Sequence, residues 1–245
     1  MTGLEQNAVL VSFSSSTWGG TAPSEQAARD IQEKRGNADG TTKTHIYLVD
    51  ENEIKKNEAA FNAAYLFYRA NTTPWETKRG GARLLPGANY QRFKEGIEIL
   101  TRLAVERADE FTAIYPRLRA DYAPLLNGLA ATIDPKYYPA PEAMRGQFAI
   151  TLNYAPLPLS PESLTLKFLG RDEFDRLKGQ IAGAWEKQEA AAMGELYKRL
   201  AVTVAHMATT LAIPDKVFRD SLVDNLTELV ELIPALNFKN DPELT

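Results

Sequence analysis

Side chains that could carry out catalysis are few in this chain of 245 residues, and they are not arranged for it. There is no Cys, which excludes disulfides, thiolate metal sites and a thiol nucleophile. The two His, His45 and His206, lie far apart in the sequence, and Ser14-Ser15-Ser16 is not in the G-x-S-x-G turn that exposes a serine nucleophile. The sequence therefore favours binding over catalysis, and we expect a protein that is not an enzyme.

The sequence gives little support for a nucleotide-binding site or a metal site. Residues 36–43 contain glycines and a lysine, but their spacing is not that of the phosphate-binding loop G-x-x-x-x-G-K-[ST]. Acidic side chains cluster at 172–175 and along 220–231, where they could ligate a divalent cation. Solvated helix faces explain both clusters more simply, so we expect no metal and no cofactor.

Residues 65–94 combine positive charge with aromatic rings. This segment holds six basic side chains, one acidic side chain and six aromatic rings, in a chain whose net charge is -4. Cations neutralise phosphates, and each ring can stack a base for about 1–3 kcal/mol, as single-stranded nucleic acid binding requires. The predicted contact residues are Arg69, Trp75, Lys78, Arg79, Arg83, Arg92 and Lys94.

The same segment has a second interpretation, in which the rings belong to the core of two flanking helices and the cations are their solvated faces. Independently of this choice, we expect Trp75, Leu84 and Leu85 to be buried anchors of a structured loop, with Lys78, Arg79 and Arg83 projecting from its glycine-rich tip. Residues 215–245 hold three basic and seven acidic side chains and carry the whole charge imbalance. This acidic end would limit indiscriminate binding by a basic surface, or recruit a basic partner.

The N-terminal elements are predicted from local patterns. Alternating apolar residues indicate strands at 8–14 and 45–49, which form a short N-terminal strand pair. A polar helix over 24–35 ends at Gly36, and Asp50 with Glu53 resembles a capping box that opens another helix. Residues 71–87 hold two Pro and three Gly, which predicts a loop.

The clearest helical periodicity in the chain runs over 88–118, and predicts a seam for packing against another long helix. That helix could belong to the same chain or to a partner. Pro116 should kink the helix or restart it as a second short helix to about residue 131. The interface residues predicted from this seam are Tyr90, Phe93, Ile97, Leu100 and Phe111.

The C-terminal half is predicted to begin with a proline-rich segment, 134–161. Alternation over 148–154 and again over 164–168 predicts a central β-hairpin. One helix spans 171–211 and a final amphipathic helix spans 215–233. We therefore expect an α+β protein, mainly α, with long amphipathic helices. It would have an N-terminal part (1–133) and a C-terminal part (134–245), or form one continuous domain.

Several short motifs resemble a family of uncharacterised proteins from tailed-phage and prophage genomes. They fall within residues 9–160 and include Trp18-Gly19, Thr72-Thr73-Pro74-Trp75, Arg83-Leu84-Leu85-Pro86 and Asn89-Tyr90. The family has the core T-L-P-W … R-L-L-P … Y, and Thr73 stands at the position where Leu is usual. The resemblance implies an early or accessory phage protein encoded near DNA-metabolism or ATPase genes. It implies no catalytic residues.

The leading hypothesis from the sequence is a non-enzymatic phage accessory protein. It would bind nucleic acid, single-stranded DNA above all, and self-assemble through its long helices into a homo-oligomer or with a helical partner. The rival hypothesis is a structural or assembly protein, or an adaptor or inhibitor of a host complex, acting through protein contacts. No apolar run approaches the ~18 residues that span a bilayer and nothing marks the N-terminus for secretion, so we expect no membrane contact and a cytoplasmic location, in the host cell if the protein is phage-encoded.

Overall fold

The computed structural model describes residues 4–36, 42–76, 80–126, 133–161, 163–166, 168–213 and 220–244. The helices are α1 (Leu4–Asn7), α2 (Glu25–Arg35), α3 (Glu51–Ala70), α4 (Gly87–Tyr122), α5 (Pro141–Met144), α6 (Arg171–Leu211) and α7 (Asp220–Leu236). The strands are β1 (Ala8–Ser16), β2 (Thr21–Pro23), β3 (His45–Tyr47), β4 (Thr73–Pro74), β5 (Arg83–Pro86) and β6 (Ala149–Pro156). Long helices with a small sheet confirm the predicted α+β class, mainly α.

The strands form two separate sheets. A four-stranded sheet has the order β4-β5-β1-β6, and β5 runs antiparallel to both β1 and β4. A two-stranded antiparallel sheet pairs β2 with β3. The predicted strands at 8–14 and 45–49 are therefore present but lie in different sheets, and residues 71–87 are not only a loop because β4 and β5 lie within them.

The predicted central hairpin is wrong. Its first strand is present as β6, but Leu164, Leu166 and Phe168 are not in a strand. In the sheet β6 lies beside β1, which is far from it in sequence. Alternation predicts that a strand is half-buried but does not identify its partner, and the prolines after β6 remove backbone donors that a hairpin would use.

Local end signals place the helices accurately. The Ser24 hydroxyl accepts a hydrogen bond from Ala27 N at 3.2 Å at the start of α2, and Gly36 ends that helix in a left-handed conformation with φ 68°. The carboxylate of Asp50 accepts from Asn52 N at 2.8 Å at the start of α3. Glu53 does not complete a capping box, because its carboxylate is paired with other side chains.

The long helices follow the apolar periodicity. The 41 residues predicted for α6 are confirmed at both ends. Helix α4 continues through Pro116, so the predicted restart is wrong, and the chain then enters a short 3₁₀ turn, Ala123–Leu126. Residues 127–132, where the second short helix was predicted to continue, and 214–219, at the predicted start of the last helix, lie outside the described residues.

The chain folds as two compact units that are discontinuous in sequence. One, which we call the sheet unit, comprises residues 1–14, 66–97 and 152–245; the other, the aromatic unit, comprises 15–65 and 98–151. The predicted division into 1–133 and 134–245 differs from these units, because each of them takes segments from both sides of that boundary. Sequence composition detects proline-rich connections but not which distant segments pack together.

The core of the aromatic unit is built on Trp18. Its ring lies edge-on to Tyr115, with centroids 5.3 Å apart, and its Nε1 donates to Tyr137 O at 3.1 Å. The Tyr115 hydroxyl donates to Pro139 O at 2.8 Å, and burial raises the pKa of this phenol. Phe111 packs in the same core and is fully buried, so its predicted role at a partner interface is wrong.

Gly20 provides a test of this packing, because it has φ +63° and a Cβ there would collide with the side chain of Ile54. We expect Gly20→Ala to lower the free energy of unfolding by about 1–3 kcal/mol, measured by chemical denaturation. Gly19→Ala is the matched control, since a Cβ at Gly19 meets nothing within 4 Å. Equal denaturation midpoints for the two variants would contradict this account.

Candidate binding groove

The sheet unit is organised around the C-terminal end of α3, whose last carbonyl groups have no donor within the helix. Two arginines supply those donors. Arg199 of α6 donates to Arg69 O, Ala70 O and Thr72 O at 2.9, 2.7 and 2.7 Å. Arg83 of β5 donates to the backbone and side-chain oxygens of Thr72, both at 2.8 Å. Both cations also compensate the partial negative charge at this end of the helix.

The two guanidinium groups are taken out of water to make these contacts. Burial, followed by the nearby charge of Arg199, lowers the pKa of Arg83 to about 10. Burial likewise lowers the pKa of Arg199, and the carboxylate of Glu195, 3.4 Å away, opposes that shift. Both side chains are therefore committed to the protein's own backbone. The prediction that Arg83 projects from a loop tip is wrong, because it donates to Thr72 and to Arg69 O at the end of α3.

The predicted apolar anchors of the loop, Trp75, Leu84 and Leu85, are buried. Trp75 is 2% exposed and lies edge-on to Trp185, with ring centroids 5.1 Å apart, while Leu84 and Leu85 are fully buried. A ring in this position cannot stack a base from solvent, so Trp75 is corrected from a contact residue to a core residue. Lys78 and Arg79 lie outside the described residues.

The predicted helix seam is filled from within the chain. Phe93 and Ile97 are 0% and 1% exposed, and the Phe93 ring stacks on Phe67 with centroids 6.2 Å apart. Their prediction as partner-interface residues is therefore wrong, for the same reason as that of Phe111. Leu100 is half-buried, and Tyr90 remains 41% exposed with its ring near Tyr154.

A groove of about 520 Å³ opens in the sheet unit beside the arginines that cap α3. Its apolar lining comes from three helices, and its charged lining is mainly basic. The apolar residues are Phe67, Val202, Leu229 and Leu232; the basic ones are Arg69, Arg92, Lys198 and Arg199; the acidic ones are Glu195 and Glu228. The groove thus combines basic side chains, which we call its rim, with apolar side chains, which we call its floor.

Buried amides fix the start of α4 against the end of α3, next to the groove. Asn89 Nδ2 donates to Asn71 O at 2.8 Å, and Asn71 Nδ2 donates to Phe67 O at 3.0 Å. Both asparagines are nearly inaccessible to solvent. Hydrogen bonds from buried side-chain amides to backbone carbonyl groups therefore hold this side of the groove in place.

Arg69 and Arg92, predicted from the sequence, lie together on the groove, whereas Lys94 is exposed but does not line it. Residues two apart on a helix point in different directions, which separates Lys94 from Arg92. Sequence reasoning missed Lys198 and Arg199, which α6 brings from a distant part of the chain. Their only local signal is a pair of adjacent cations, which is common on helices. Within the described residues, neither Arg92 nor Lys198 is held in an ion pair.

The groove offers a ligand both charged and apolar contacts. Its cations can attract anionic groups, and its floor can cover apolar surface. Across the part of the chain that the structure describes, His, Asp and Glu side chains form no group that could hold a metal ion. No helix in that part is both long and apolar enough to cross a membrane.

No protein-family model, curated protein or solved structure matches this chain. The resemblance to phage and prophage proteins therefore stays a prediction.

Removing the Arg199 guanidinium should expose how much the sheet unit depends on it. We expect Arg199→Met to lower the free energy of unfolding by about 2–4 kcal/mol, because the carbonyl groups of Ala70 and Thr72 lose a buried charged donor. Lys198→Met is the matched control, since it deletes a neighbouring exposed cation and should change stability by less than ~0.5 kcal/mol. Chemical denaturation measures both variants, and similar losses in the two would refute the capping role.

Proposed function

We propose that this protein is a non-enzymatic accessory protein that binds single-stranded nucleic acid in the groove of the sheet unit. One observation carries the proposal: Arg69, Arg92 and Lys198 come from three different helices and line one groove with an apolar floor. Cations on opposite walls can neutralise successive phosphates of a strand that passes between them. A cytoplasmic location, within reach of such a strand, is part of the proposal.

The apolar floor favours a single strand over a duplex. In a duplex the bases are stacked inside and only the phosphates and groove edges reach a protein surface. In a single strand the bases can turn toward the half-buried ring of Phe67 and the side chains of Val202 and Leu229. The rim would contribute affinity for any nucleic acid, and the floor would contribute the preference for unpaired bases.

Acidic residues at the groove limit its positive potential. Glu195 is paired with Arg199, and Glu228 lies on the α7 side. The acidic excess of residues 215–245 adds to this effect. We therefore expect binding that is moderate and strongly dependent on salt, because each phosphate contact releases a counterion and few contacts are available.

A charge reversal on both walls of the groove tests the proposal. Arg92→Glu combined with Lys198→Glu should weaken binding of a fluorescent oligothymidylate at least about tenfold. The slope of log affinity against log salt should also become shallower by roughly 1.4, since two phosphate contacts are lost. Fluorescence anisotropy over a salt series measures both quantities.

The matched control for this experiment is Lys34→Glu combined with Arg35→Glu, because it changes the net charge equally on exposed positions of α2 in the aromatic unit. The control should bind like the natural protein. An equal loss in both double variants would mean that only net charge matters. Failure of the natural protein to bind at low salt would overturn the proposal outright.

A further inference from the structure

A smaller cavity, of about 180 Å³, lies in the aromatic unit between the end of β1 and the second half of α3. Six residues line it: Ser15, Thr17, Glu58, Phe61, Asn62 and Tyr65. The four that belong to α3 are spaced by three, one and three residues, so they share one face of the helix. This helix face and the end of the strand together form the walls of the cavity.

The polar side chains of this cavity can all accept hydrogen bonds, and none of the six lining residues is basic. The acceptors are the hydroxyl oxygens of Ser15 and Thr17, the amide oxygen of Asn62 and the carboxylate of Glu58. Within the part of the chain that the structure describes, these four side chains have no hydrogen-bond or ion-pair partner. The cavity therefore offers a negative charge and several acceptors that the fold itself does not use.

Glu58 stays without a cation because the lysines that precede it on α3 are paired elsewhere. Lys55 is bound to Glu51, with Nζ and Oε1 2.7 Å apart. Lys56 is bound to Glu53 at 2.5 Å. Each pair lies within one turn of the helix and holds its lysine toward the start of α3. The carboxylate of Glu58 is thus available to a cation from solution.

We propose that this cavity binds a small primary alkylammonium ion. Such an ion carries one positive charge and three N–H donors, which suit the carboxylate of Glu58 and the oxygen acceptors around it. The rings of Phe61 and Tyr65 would cover the alkyl chain, and aromatic rings also attract cations. Pockets for drug-sized ligands measure roughly 300–1,000 Å³, so this smaller cavity suits a ligand of only a few heavy atoms.

Other classes of ligand use this set of residues less completely. A neutral sugar or alcohol could bind the acceptors but would leave the charge of Glu58 uncompensated. A calcium ion takes roughly six to eight oxygen ligands, usually with several carboxylates among them, whereas this cavity supplies one carboxylate and two rings. A nucleic acid would be repelled by Glu58, so the inference is independent of the proposed function.

Three small molecules test which chemistry the cavity recognises. Titration calorimetry with butylammonium chloride should show binding that is at least about tenfold tighter than binding of butanol or of tetramethylammonium. Butanol keeps the alkyl chain but lacks the charge, and tetramethylammonium keeps the charge but lacks the N–H donors. No binding of butylammonium, or equal binding of either comparison molecule, would overturn the assignment.

Substitution of the carboxylate tests whether the ligand binds at this cavity. Glu58→Gln keeps the size of the side chain and should weaken butylammonium binding at least about tenfold, because the charge is lost. Glu33→Gln is the matched control, since it removes an exposed carboxylate from α2 in the same unit and should leave the affinity unchanged. Equal affinities in the two variants would refute the site.

A second pair of variants tests the aromatic wall. Tyr65→Leu removes the ring and should weaken butylammonium binding severalfold, whereas Tyr65→Phe keeps the ring and should bind within about twofold of the natural protein. Both variants alter an exposed side chain, so the fold should be retained. An equal affinity of the leucine and phenylalanine variants would contradict the role of the ring.

Discussion

Two guanidinium groups at the carboxyl end of α3 connect most of the sheet unit. Arg83 brings β5 to this helix end and Arg199 brings α6 to it, so one set of backbone carbonyls joins a strand, a helix end and the longest helix. Buried cations are unfavourable without partners, and here the partners are main-chain oxygens that would themselves be unsatisfied. These hydrogen bonds also position the groove. Arg69 supplies one of the carbonyls that accept from Arg199, and Lys198 precedes Arg199 in α6.

Residues 65–94, which combine positive charge with aromatic rings, show why composition alone gives an ambiguous interpretation of function. Half of its six rings are structural: Trp75, Tyr68 and Phe93 are buried, whereas Phe67 is half-buried and Tyr65 and Tyr90 are exposed. Its cations divide in the same way, with Arg83 turned to the backbone and Arg92 turned to the groove. Burial of Trp75, Tyr68 and Phe93 confirms the core interpretation for those rings, and nucleic-acid contact by the side chains that line the groove stays a prediction.

Features set by neighbouring residues could be predicted, and those set by distant partners could not. Ser24 and Gly36 fix the ends of α2 through bonds within a few residues, and the apolar repeat of α6 is complete within the helix. The pairing of β6 with β1 and the contacts of Arg199 depend on segments far away in sequence. An alternating pattern predicts a strand but does not identify the strand with which it pairs. The sequence around an arginine likewise does not show whether its side chain faces water or a helix end.

The discontinuous composition of the sheet unit has a consequence for how the protein is made. Its residues 1–14 leave the ribosome before the segment 152–245 of the same unit is synthesised. The apolar side of β1 cannot complete its core until Leu157 and Trp185, which belong to the same cluster as Ala8 and Leu10, have been synthesised. The aromatic unit, complete at residue 151, can form earlier. Until β5 and β6 have been synthesised, both edges of β1 are therefore open to mispairing or to chaperones.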